Sequence, residues 1–345
     1  MSVQNPGRQG GDLRGRSPVQ LDLSTCVNPY GPPDAVLATL RSMPESAVRM
    51  HPYAAASDVE SAYAEHLGQP AAEFAAGRGA SDLIWLLARQ FDGKAAGLPL
   101  PAYTEFRRAF PQARPFGGGP STHPAEVLDD AMRACDVVIV SNPHNPTGQL
   151  IQRRDLTDVA LRHPASVLAV DESYMDFLAD EAAQTLVGCG ADNVIVLRSP
   201  SKFWGLAGVR SGAAWSRQPL RAQWDRWRTS WPVSAFAAAA LRTALAGKPW
   251  ASEIRHVLAA DAAWLEGCLT QAGLDIAPGR LHFRLLTGPG PDVDRLAGRL
   301  DSCGIAARVL EEAYGTGRPA IRISAPRRQD RWRLAAALDA PRQET

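Results

Sequence analysis

Lysine is scarce in this chain of 345 residues, which contains only Lys94, Lys202 and Lys248 although arginine is abundant. Five widely spaced cysteines form no C-x-x-C pair, which argues against a disulfide framework or a zinc site. The formal net charge of +1 gives no footprint for nucleic acid or an anionic membrane. No run approaches the ~18 apolar residues of a membrane span, and the N-terminus lacks an apolar leader segment. We therefore expect a cytoplasmic protein without metal that binds neither nucleic acid nor membrane.

The sequence alternates helical patterns with short apolar runs. Strands are predicted at about 95–100, 137–140, 167–170, 194–197 and 212–215, and helices at 58–66 and 80–90. Continuous β-branched runs between helices are typical of a mostly parallel sheet flanked by helices. The predicted fold class is therefore α/β, and ligands of such sheets lie at the carboxyl ends of the strands.

The domain organisation is predicted in four parts. Residues 1–18 form a flexible arm, 19–45 an N-terminal arm that joins the small domain, 46–235 the large cofactor-binding domain, and 236–345 a smaller α+β domain. A long helix is predicted at about 220–246, interrupted at Pro232. Trp224, Trp227 and Trp231 share one face of it, which favours packing in the core or between domains.

Lys202 lies in the most informative stretch, S-P-S-K-F-W-G-L-A-G-V-R at 199–210. An amine can lose its proton and form a Schiff base, which a guanidinium cannot do. Ser199, Ser201 and Arg210 can bind a phosphate beside it. A second phosphate element, Gly79-Ala80-Ser81, opens a helix whose N-terminus favours an anion.

Other polar and aromatic groups follow the predicted strands. Asp171 ends an apolar strand, where a carboxylate needs a partner such as a protonated heterocyclic nitrogen. Asn145 lies in a rigid proline-flanked loop, Tyr174 follows Asp171 by three residues, and Tyr103 could stack on a planar ring. Together with Lys202 these groups indicate one cofactor, pyridoxal 5′-phosphate.

Three segments carry a resemblance to a known family: S-N-P-H-N-P-T-G at 141–148, V-D-E-S-Y-M-D-F at 170–177 and the lysine segment. They resemble fold-type I pyridoxal-phosphate enzymes, the class I/II aminotransferases. The likeness is closest to the branch of histidinol-phosphate aminotransferase and threonine-phosphate decarboxylase. The arm from Leu21 to Pro32 also resembles that branch, so the resemblance covers about residues 20–335.

The resemblance implies a role for each matching residue. Lys202 forms the aldimine with the cofactor and shuttles a proton. Asp171 pairs with the pyridine nitrogen, Asn145 and Tyr174 hold the phenolic oxygen, Tyr103 stacks on the ring, and Ala80, Ser81, Ser199, Ser201 and Arg210 hold the phosphate. Arg322 binds the substrate α-carboxylate, with Asn28 and His51 as further substrate-binding candidates. The family also implies a homodimer with its two sites at the interface.

The chain departs from the family pattern at three places. Met50-His51-Pro52-Tyr53 stands where a tyrosine before a proline usually reaches the partner's cofactor phosphate, which leaves His51 and Tyr53 as alternatives. His282 replaces a usual asparagine, and Cys26 lies in the opening arm where histidinol-phosphate enzymes tend to carry Asn-Glu. These departures fall where the substrate would lie, so we do not expect a housekeeping histidine enzyme.

The predicted function is transamination of an amino acid or of an amine derived from one. Decarboxylation of the threonine-phosphate type is the first alternative, and elimination or cyclisation on a modified amino acid is the second. Arg78, Arg327 and Arg328 are candidates for a substrate phosphate, although each is more typical of a solvated surface. The S-x-x-K pattern at Ser199 also occurs in penicillin-binding proteins, but the accompanying S-D-N and K-T-G motifs are missing. A non-catalytic binding protein would be expected to lose Lys202 or Asp171.

Overall fold

A computed structural model of the chain describes residues 18–117, 125–310 and 319–339. The predicted flexible arm, apart from residue 18, lies outside the described residues. In the described ranges no helix is both long and apolar enough to cross a membrane.

The strands of the described chain are β1 (Leu21–Asp22), β2 (Phe74–Gly77), β3 (Ala96–Pro99), β4 (Arg114–Phe116), β5 (Val137–Ser141), β6 (Val167–Asp171), β7 (Val194–Arg198), β8 (Gly212–Ser216), β9 (Asp275–Ile276), β10 (Phe283–Thr287), β11 (Ile305–Ala306), β12 (Arg308–Leu310) and β13 (Ala320–Ser324). The helices are α1 (Asp34–Arg41), α2 (Ser46–Arg49), α3 (Ala55–Leu67), α4 (Ala80–Gln90), α5 (Thr104–Ala109), α6 (Ala125–Ala134), α7 (Arg153–Arg162), α8 (Glu181–Gln184), α9 (Leu220–Trp227), α10 (Ala235–Ala246), α11 (Lys248–Gln271), α12 (Gly290–Ser302) and α13 (Arg331–Asp339).

Seven of these strands form the central sheet in the order β2-β8-β7-β6-β5-β3-β4. β4, β3, β5, β6 and β7 pair in parallel, whereas β8 runs antiparallel to both of its neighbours. β2 therefore runs in the same direction as β7, and its carboxyl end lies at the same edge. The predicted α/β class with a mostly parallel sheet is confirmed.

The sheet is buried on both faces because successive side chains of a strand point in opposite directions. In β5, Val138 and Val140 pack with α1, α3 and α10, whereas Val137 and Ile139 pack with α4, α5 and α9. The uninterrupted apolar runs in the sequence reflect this two-sided burial.

A smaller antiparallel sheet has the order β12-β13-β10-β9, and a separate two-stranded pair joins β1 to β11. The core beneath the four-stranded sheet contains Leu265 and Leu269 of α11 together with Leu296 of α12 and Leu334 of α13. β1 and Leu23 bring the opening arm onto this core. α10 packs with the large sheet, and the division of the chain after residues 45 and 235 stays a prediction.

Several predicted elements are corrected by the structure. β2 and β4 were missed, because Phe-Ala-Ala-Gly is poor in β-branched residues and the edge strand β4 contains a proline. The predicted long helix is two helices, α9 and α10, with residues 228–234 between them. Of the three tryptophans expected in the core, Trp224 is buried, whereas Trp227 and Trp231 are exposed. Chain direction changes after α9, so the shared helical face does not extend to Trp231.

Gly205 packs the opening arm against the segment that carries Lys202. Its φ is +66°, and a Cβ there would lie 2.7 Å from the carbonyl carbon of Gly31 and 2.8 Å from the nitrogen of Pro32. Both neighbours are backbone atoms that cannot rotate away. Glycine is therefore required for conformation and for space.

We predict that Gly205→Ala lowers the free energy of unfolding by about 1–3 kcal/mol, through left-handed strain and the backbone clash. Gly208→Ala is the matched control, because a methyl group added there would have no atom within 4 Å and its φ is not left-handed. Urea unfolding of both variants tests this. Equal midpoints for the two variants would contradict the assignment.

Candidate active site

One cavity of about 370 Å³ lies at the carboxyl edge of the central sheet. The segments that follow β2, β3, β5, β6 and β7 meet there, as does Arg210, just before β8. Among the predicted site residues, those that line the cavity are Ala80, Ser81, Tyr103, Asn145, Asp171, Tyr174, Ser199, Ser201, Lys202, Arg210 and Arg322. Predicted residues as distant in sequence as Ala80 and Arg322 therefore share one wall.

Lys202 reaches the cavity from the turn after β7. Its Nζ donates a hydrogen bond of 2.8 Å to the carbonyl oxygen of Thr25 in the opening arm. Burial lowers the pKa of the Lys202 amine to about 8, with Cys26 and Asp171 opposing this shift and Arg322 adding to it. The site therefore favours the neutral amine, which is the nucleophilic form.

Asp171 is the last residue of β6, and its carboxylate lines the cavity. Oδ1 accepts hydrogen bonds from the backbone N–H and the hydroxyl of Ser173. Burial raises the pKa of the Asp171 carboxyl, while the Ser173 hydrogen bonds and Lys202 act in the opposite direction. A cation placed against Oδ2 would favour the ionised form.

Asn145 and Arg322 are in direct contact across the cavity. Nη1 of Arg322 donates to Oδ1 of Asn145 at 2.5 Å, and Nη2 donates to the carbonyl oxygen of Ser24 at 2.7 Å. The Asn145 backbone N–H donates to Oγ of Ser141 at 2.9 Å, which fixes the loop after β5. The guanidinium, over the ring of Phe283, can bind a planar carboxylate through two parallel hydrogen bonds.

An anion cradle lies on the other side of the cavity. Gly79, with φ +85°, precedes α4, and Ala80 and Ser81 of its first turn line the cavity together with Ser199, Ser201 and Arg210. The first N–H groups of a helix have no partner within the helix. A Cβ at Gly79 would approach Nη2 of Arg210 to 3.0 Å. Nη2 of Arg210 also donates to the carbonyl oxygen of Arg78 at 3.1 Å. Hydroxyl, amide and guanidinium donors converge there, as binding of a phosphate requires.

Tyr103 and Tyr174 supply aromatic walls. Tyr103 follows β3 and makes an edge contact with Phe106, and Tyr174 packs edge-on against Phe283. Burial raises the pKa of both phenols, so both are neutral hydrogen-bond donors at physiological pH.

Asn28 and His51 lie outside the described wall of the cavity. Nδ2 of Asn28 donates to the carbonyl oxygen of Phe203 at 2.9 Å, and its backbone N–H donates to that of Lys202 at 2.9 Å. Asn28 thus holds the backbone of the lysine segment through two hydrogen bonds. His51 is exposed and stacks on Trp231 with ring centroids 4.1 Å apart.

His282 and Cys26, two of the departures noted in the sequence, are buried beside the cavity. The ring of His282 stacks on Phe177 with ring centroids 4.4 Å apart and lies against the backbone of Cys26. Burial, together with the charges of Lys202 and Arg322, lowers the pKa of His282 to about 3. The imidazole is therefore neutral and acts as a flat packing group.

The sequence reasoning missed several cavity residues, notably Glu105, Arg108 and Arg308. Glu105 accepts hydrogen bonds from Nε1 of Trp85 at 2.7 Å and from Nη1 of Arg108 at 3.1 Å. Its position two residues after Tyr103 was an available signal. The surface candidates Arg78, Arg327 and Arg328 are not part of the described cavity wall.

Arg308 lies directly opposite Arg322 in the β12–β13 pair, so both side chains are on one face of the small sheet. Like charges at directly opposed positions destabilise a sheet. Two guanidinium groups on the cavity wall therefore favour an anionic ligand between or beside them.

Comparison with known proteins gives matches over nearly the whole chain. A family model described as aminotransferase class I and II matches residues 18–338. Histidinol-phosphate aminotransferase 1 of Bordetella parapertussis is 26% identical over 324 residues, covering 91% of this chain and 89% of that protein. Threonine-phosphate decarboxylase of Salmonella typhimurium is 29% identical over 345 residues, covering 96% and 94%.

A solved structure shows the same fold. Histidinol-phosphate aminotransferase from Sinorhizobium meliloti, in complex with pyridoxal-5′-phosphate, superposes with a TM-score of 0.83 at 24% identity, covering 93% of this chain and 90% of that chain. These matches confirm the family resemblance that the sequence motifs predicted.

We predict that in the cofactor-free protein Lys202 reacts with an acylating reagent with a midpoint near pH 8, because burial disfavours its charged form. Above that pH the native amine is neutral, whereas a lysine at its ordinary value near 10.4 is still protonated. Peptide mass spectrometry after competitive labelling measures the profile, with exposed Lys94 and Lys248 as references for the reagent. A rate for Lys202 that rises only above pH 10 would contradict the prediction.

Proposed function

The chain belongs to the class I and II aminotransferases, and we propose that it is a pyridoxal-phosphate-dependent aminotransferase acting on an amino acid or an amine derived from one. The single observation that carries the proposal is the cavity in which Lys202 faces Asp171 and an anion cradle. The cavity brings an amine, a carboxylate and a set of hydrogen-bond donors suited to a phosphate into one small volume.

The residues present fit the cofactor of this family. Pyridoxal 5′-phosphate, when bound, supplies an electron-withdrawing ring that stabilises a carbanion at the substrate α-carbon. Ala80, Ser81, Ser199, Ser201 and Arg210 would hold its phosphate through the donors of the cradle. Tyr103 would stack on the ring, and Tyr174 and Nδ2 of Asn145 would donate to the phenolic oxygen.

Asp171 would keep the ring nitrogen protonated. Ser173 orients the carboxylate by donating twice to Oδ1, and Oδ2 would then be the oxygen that pairs with the ring nitrogen. A buried carboxylate gains a strongly favourable partner when a protonated nitrogen lies beside it. By stabilising the protonated nitrogen, Asp171 would maintain the electron-withdrawing character of the ring, which is its electrostatic contribution to catalysis.

Lys202 would attach the cofactor and then move a proton at the substrate α-carbon. Its lowered pKa keeps a large fraction of the amine neutral near pH 8, as a general base requires. Two residues of the opening arm orient Lys202. The carbonyl oxygen of Thr25 accepts a hydrogen bond from its amine, and the backbone N–H of Asn28 donates to its carbonyl oxygen.

Arg322 would bind the substrate α-carboxylate. Its guanidinium is held by Asn145 and Ser24 and is thereby oriented toward the cavity before substrate arrives. Such preorganisation reduces the entropy lost on binding. The planar carboxylate and guanidinium then fix the α-carbon above Lys202.

We propose that the substrate carries a second anionic group, which Arg308 binds beside Arg322. The opposed pair on one face of the small sheet supports this. The relatives named for histidinol-phosphate and threonine-phosphate agree with it in chemistry.

Decarboxylation is the second candidate, because a threonine-phosphate decarboxylase matches almost the whole chain. Which bond of the α-carbon breaks depends on which lies perpendicular to the ring, and the contact between Arg322 and the substrate carboxylate would contribute to that orientation. The predicted cytoplasmic location stays a prediction.

We propose that the protein acts as a homodimer through an exposed aromatic patch formed by Val48, Met50, His51, Tyr53 and Trp231. Tyr53 is 72% and Trp231 47% exposed, and the rings of both contact His51. An exposed apolar group of this size is typical of a protein interface. In such a dimer the segment 51–53 would extend toward the partner's phosphate cradle.

A half-reaction screen tests the function. We expect amino acids that carry a second anion to convert the bound cofactor to its pyridoxamine form, with a keto acid as product. Matched analogues without that anion should react at least ~10-fold less efficiently, because a charged pair with Arg308 is lost. Absorbance and product mass are the measurements, with Lys202→Ala as the inactive control.

The screen separates the two candidates. Carbon dioxide release with no pyridoxamine form from any donor would refute transamination and favour the decarboxylase. Turnover of neither kind would refute both.

We predict that Trp231→Ser raises the dimer dissociation constant at least ~10-fold, as loss of a central aromatic does at many interfaces. Trp332→Ser is the matched control, because Trp332 is 61% exposed on α13, outside the patch. Sedimentation equilibrium measures both. A monomeric wild type, or equal effects of the two changes, would contradict the dimer proposal.

A further inference from the structure

A buried ion pair joins the two strand ends that carry the candidate catalytic groups. Glu172 directly follows Asp171 at the end of β6, and Arg198 is the last residue of β7, directly before Ser199. Both Glu172 and Arg198 are 0% exposed, and Oε2 of the glutamate lies 3.1 Å from Nη1 of the arginine.

The pair lies behind the cavity wall. Asp171 and Ser199 line the cavity, whereas Glu172 and Arg198 do not, because successive side chains of an extended chain point to opposite sides. The backbone N–H of Glu172 donates to the carbonyl oxygen of Leu197 at 2.9 Å, which is the last rung between the strands. The ion pair between Glu172 and Arg198 therefore holds the ends of β6 and β7 together beyond their last backbone hydrogen bond.

Glu172 is held at both carboxylate oxygens. Oε1 accepts from the backbone N–H of Leu186 at 2.7 Å, and Oε2 accepts from Oγ1 of Thr185 as well as from Arg198. Two of the donors, Thr185 and Leu186, are neighbours in the segment after α8, and the third is Arg198 at the end of β7. The position of the carboxylate, and with it the end of β6, is thus fixed from two segments of the chain.

Arg198 has further partners that make its burial possible. Nη2 lies 2.7 Å from Oδ1 of Asp176 and also contacts Oε1 of Glu181, whose other oxygen pairs with Arg255 at 3.0 Å. His66 lies 3.4 Å from Glu181 at the edge of the group. Three carboxylates, those of Glu172, Asp176 and Glu181, face the guanidinium groups of Arg198 and Arg255, so Arg198 keeps a counter-charge when one carboxylate is removed.

We propose that Glu172 and Arg198 are positioning residues of the reaction, which set the distance between Asp171 and Lys202. This inference rests on the proposed function, since it assigns both of those groups to the cofactor. The pair touches neither cofactor nor substrate and acts through the backbone of its neighbours. Misplacement of a reacting group by about 1 Å costs on the order of 100-fold in rate, so control of this distance matters.

Glu172→Gln tests the proposal with little risk to folding. Arg198 keeps Asp176 and Glu181 as partners, and removal of one carboxylate balances the buried charges. Glu181→Gln is the matched control. It also removes one carboxylate partner of the Arg198 guanidinium, but Glu181 lies in α8 and not at the end of a strand of the central sheet.

We expect Glu172→Gln to weaken binding of pyridoxal 5′-phosphate and to lower kcat, each at least ~10-fold, with KM for the amino donor changed less than ~3-fold. It should also shift the pH midpoint of the absorbance of the cofactor bound at Lys202. Glu181→Gln should change cofactor affinity, kcat and KM less than ~3-fold and leave the pH midpoint where it is, whatever its melting temperature.

Equal effects of the two variants, or a change in melting temperature alone, would overturn the positioning role. If Glu172→Gln does not fold, Thr185→Val carries the test, because it removes the hydroxyl that orients Glu172 and leaves every charge in place. An unchanged cofactor spectrum in that variant would overturn the proposal. A wild type that does not bind the cofactor at Lys202 would instead refute the proposed function, and the inference with it.

Discussion

The backbone ladder between β5, β6 and β7 is the constraint on which the site depends. Ser141 pairs with Asp171, and Asp171 with Leu197, so three parallel strands end in register. Parallel strands bring their carboxyl ends to one edge, and each following loop begins there. Asn145 and Lys202 reach the same cavity because the strands before them end together, not because they are near in sequence.

Burial of charge gives this edge its chemistry. The same loss of water lowers the pKa of Lys202 to about 8 and of His282 to about 3, and raises that of Asp171. A charge in such surroundings is stable only with a partner. Arg322 has Asn145 and Ser24 as acceptors, and the cradle offers donors to a phosphate. The site is thus built to receive charges that complement its own.

The residues that line the cavity were predictable in large part, because many of them lie in short contiguous motifs. Lys202 and Asn145 each follow an apolar strand and Asp171 ends one, and this local pattern is visible in the sequence. Arg308 was not predictable in this way, since its importance comes from register against Arg322. The prediction that Trp231 packs in the core was wrong for the opposite reason. Its spacing in the sequence fits a helical face, but α9 ends at Trp227 and does not reach it.

The sequence by itself determined the fold class and the family, and it predicted the chemistry of Lys202, because apolar periodicity and fixed-spacing motifs are encoded locally. Only the tertiary structure decided how the opening arm, through Thr25 and Asn28, supports Lys202. It also decided that Arg308 joins the cavity and that His51 leaves it for the surface. These outcomes depend on contacts between distant segments, which follow from packing and sheet register and not from local pattern.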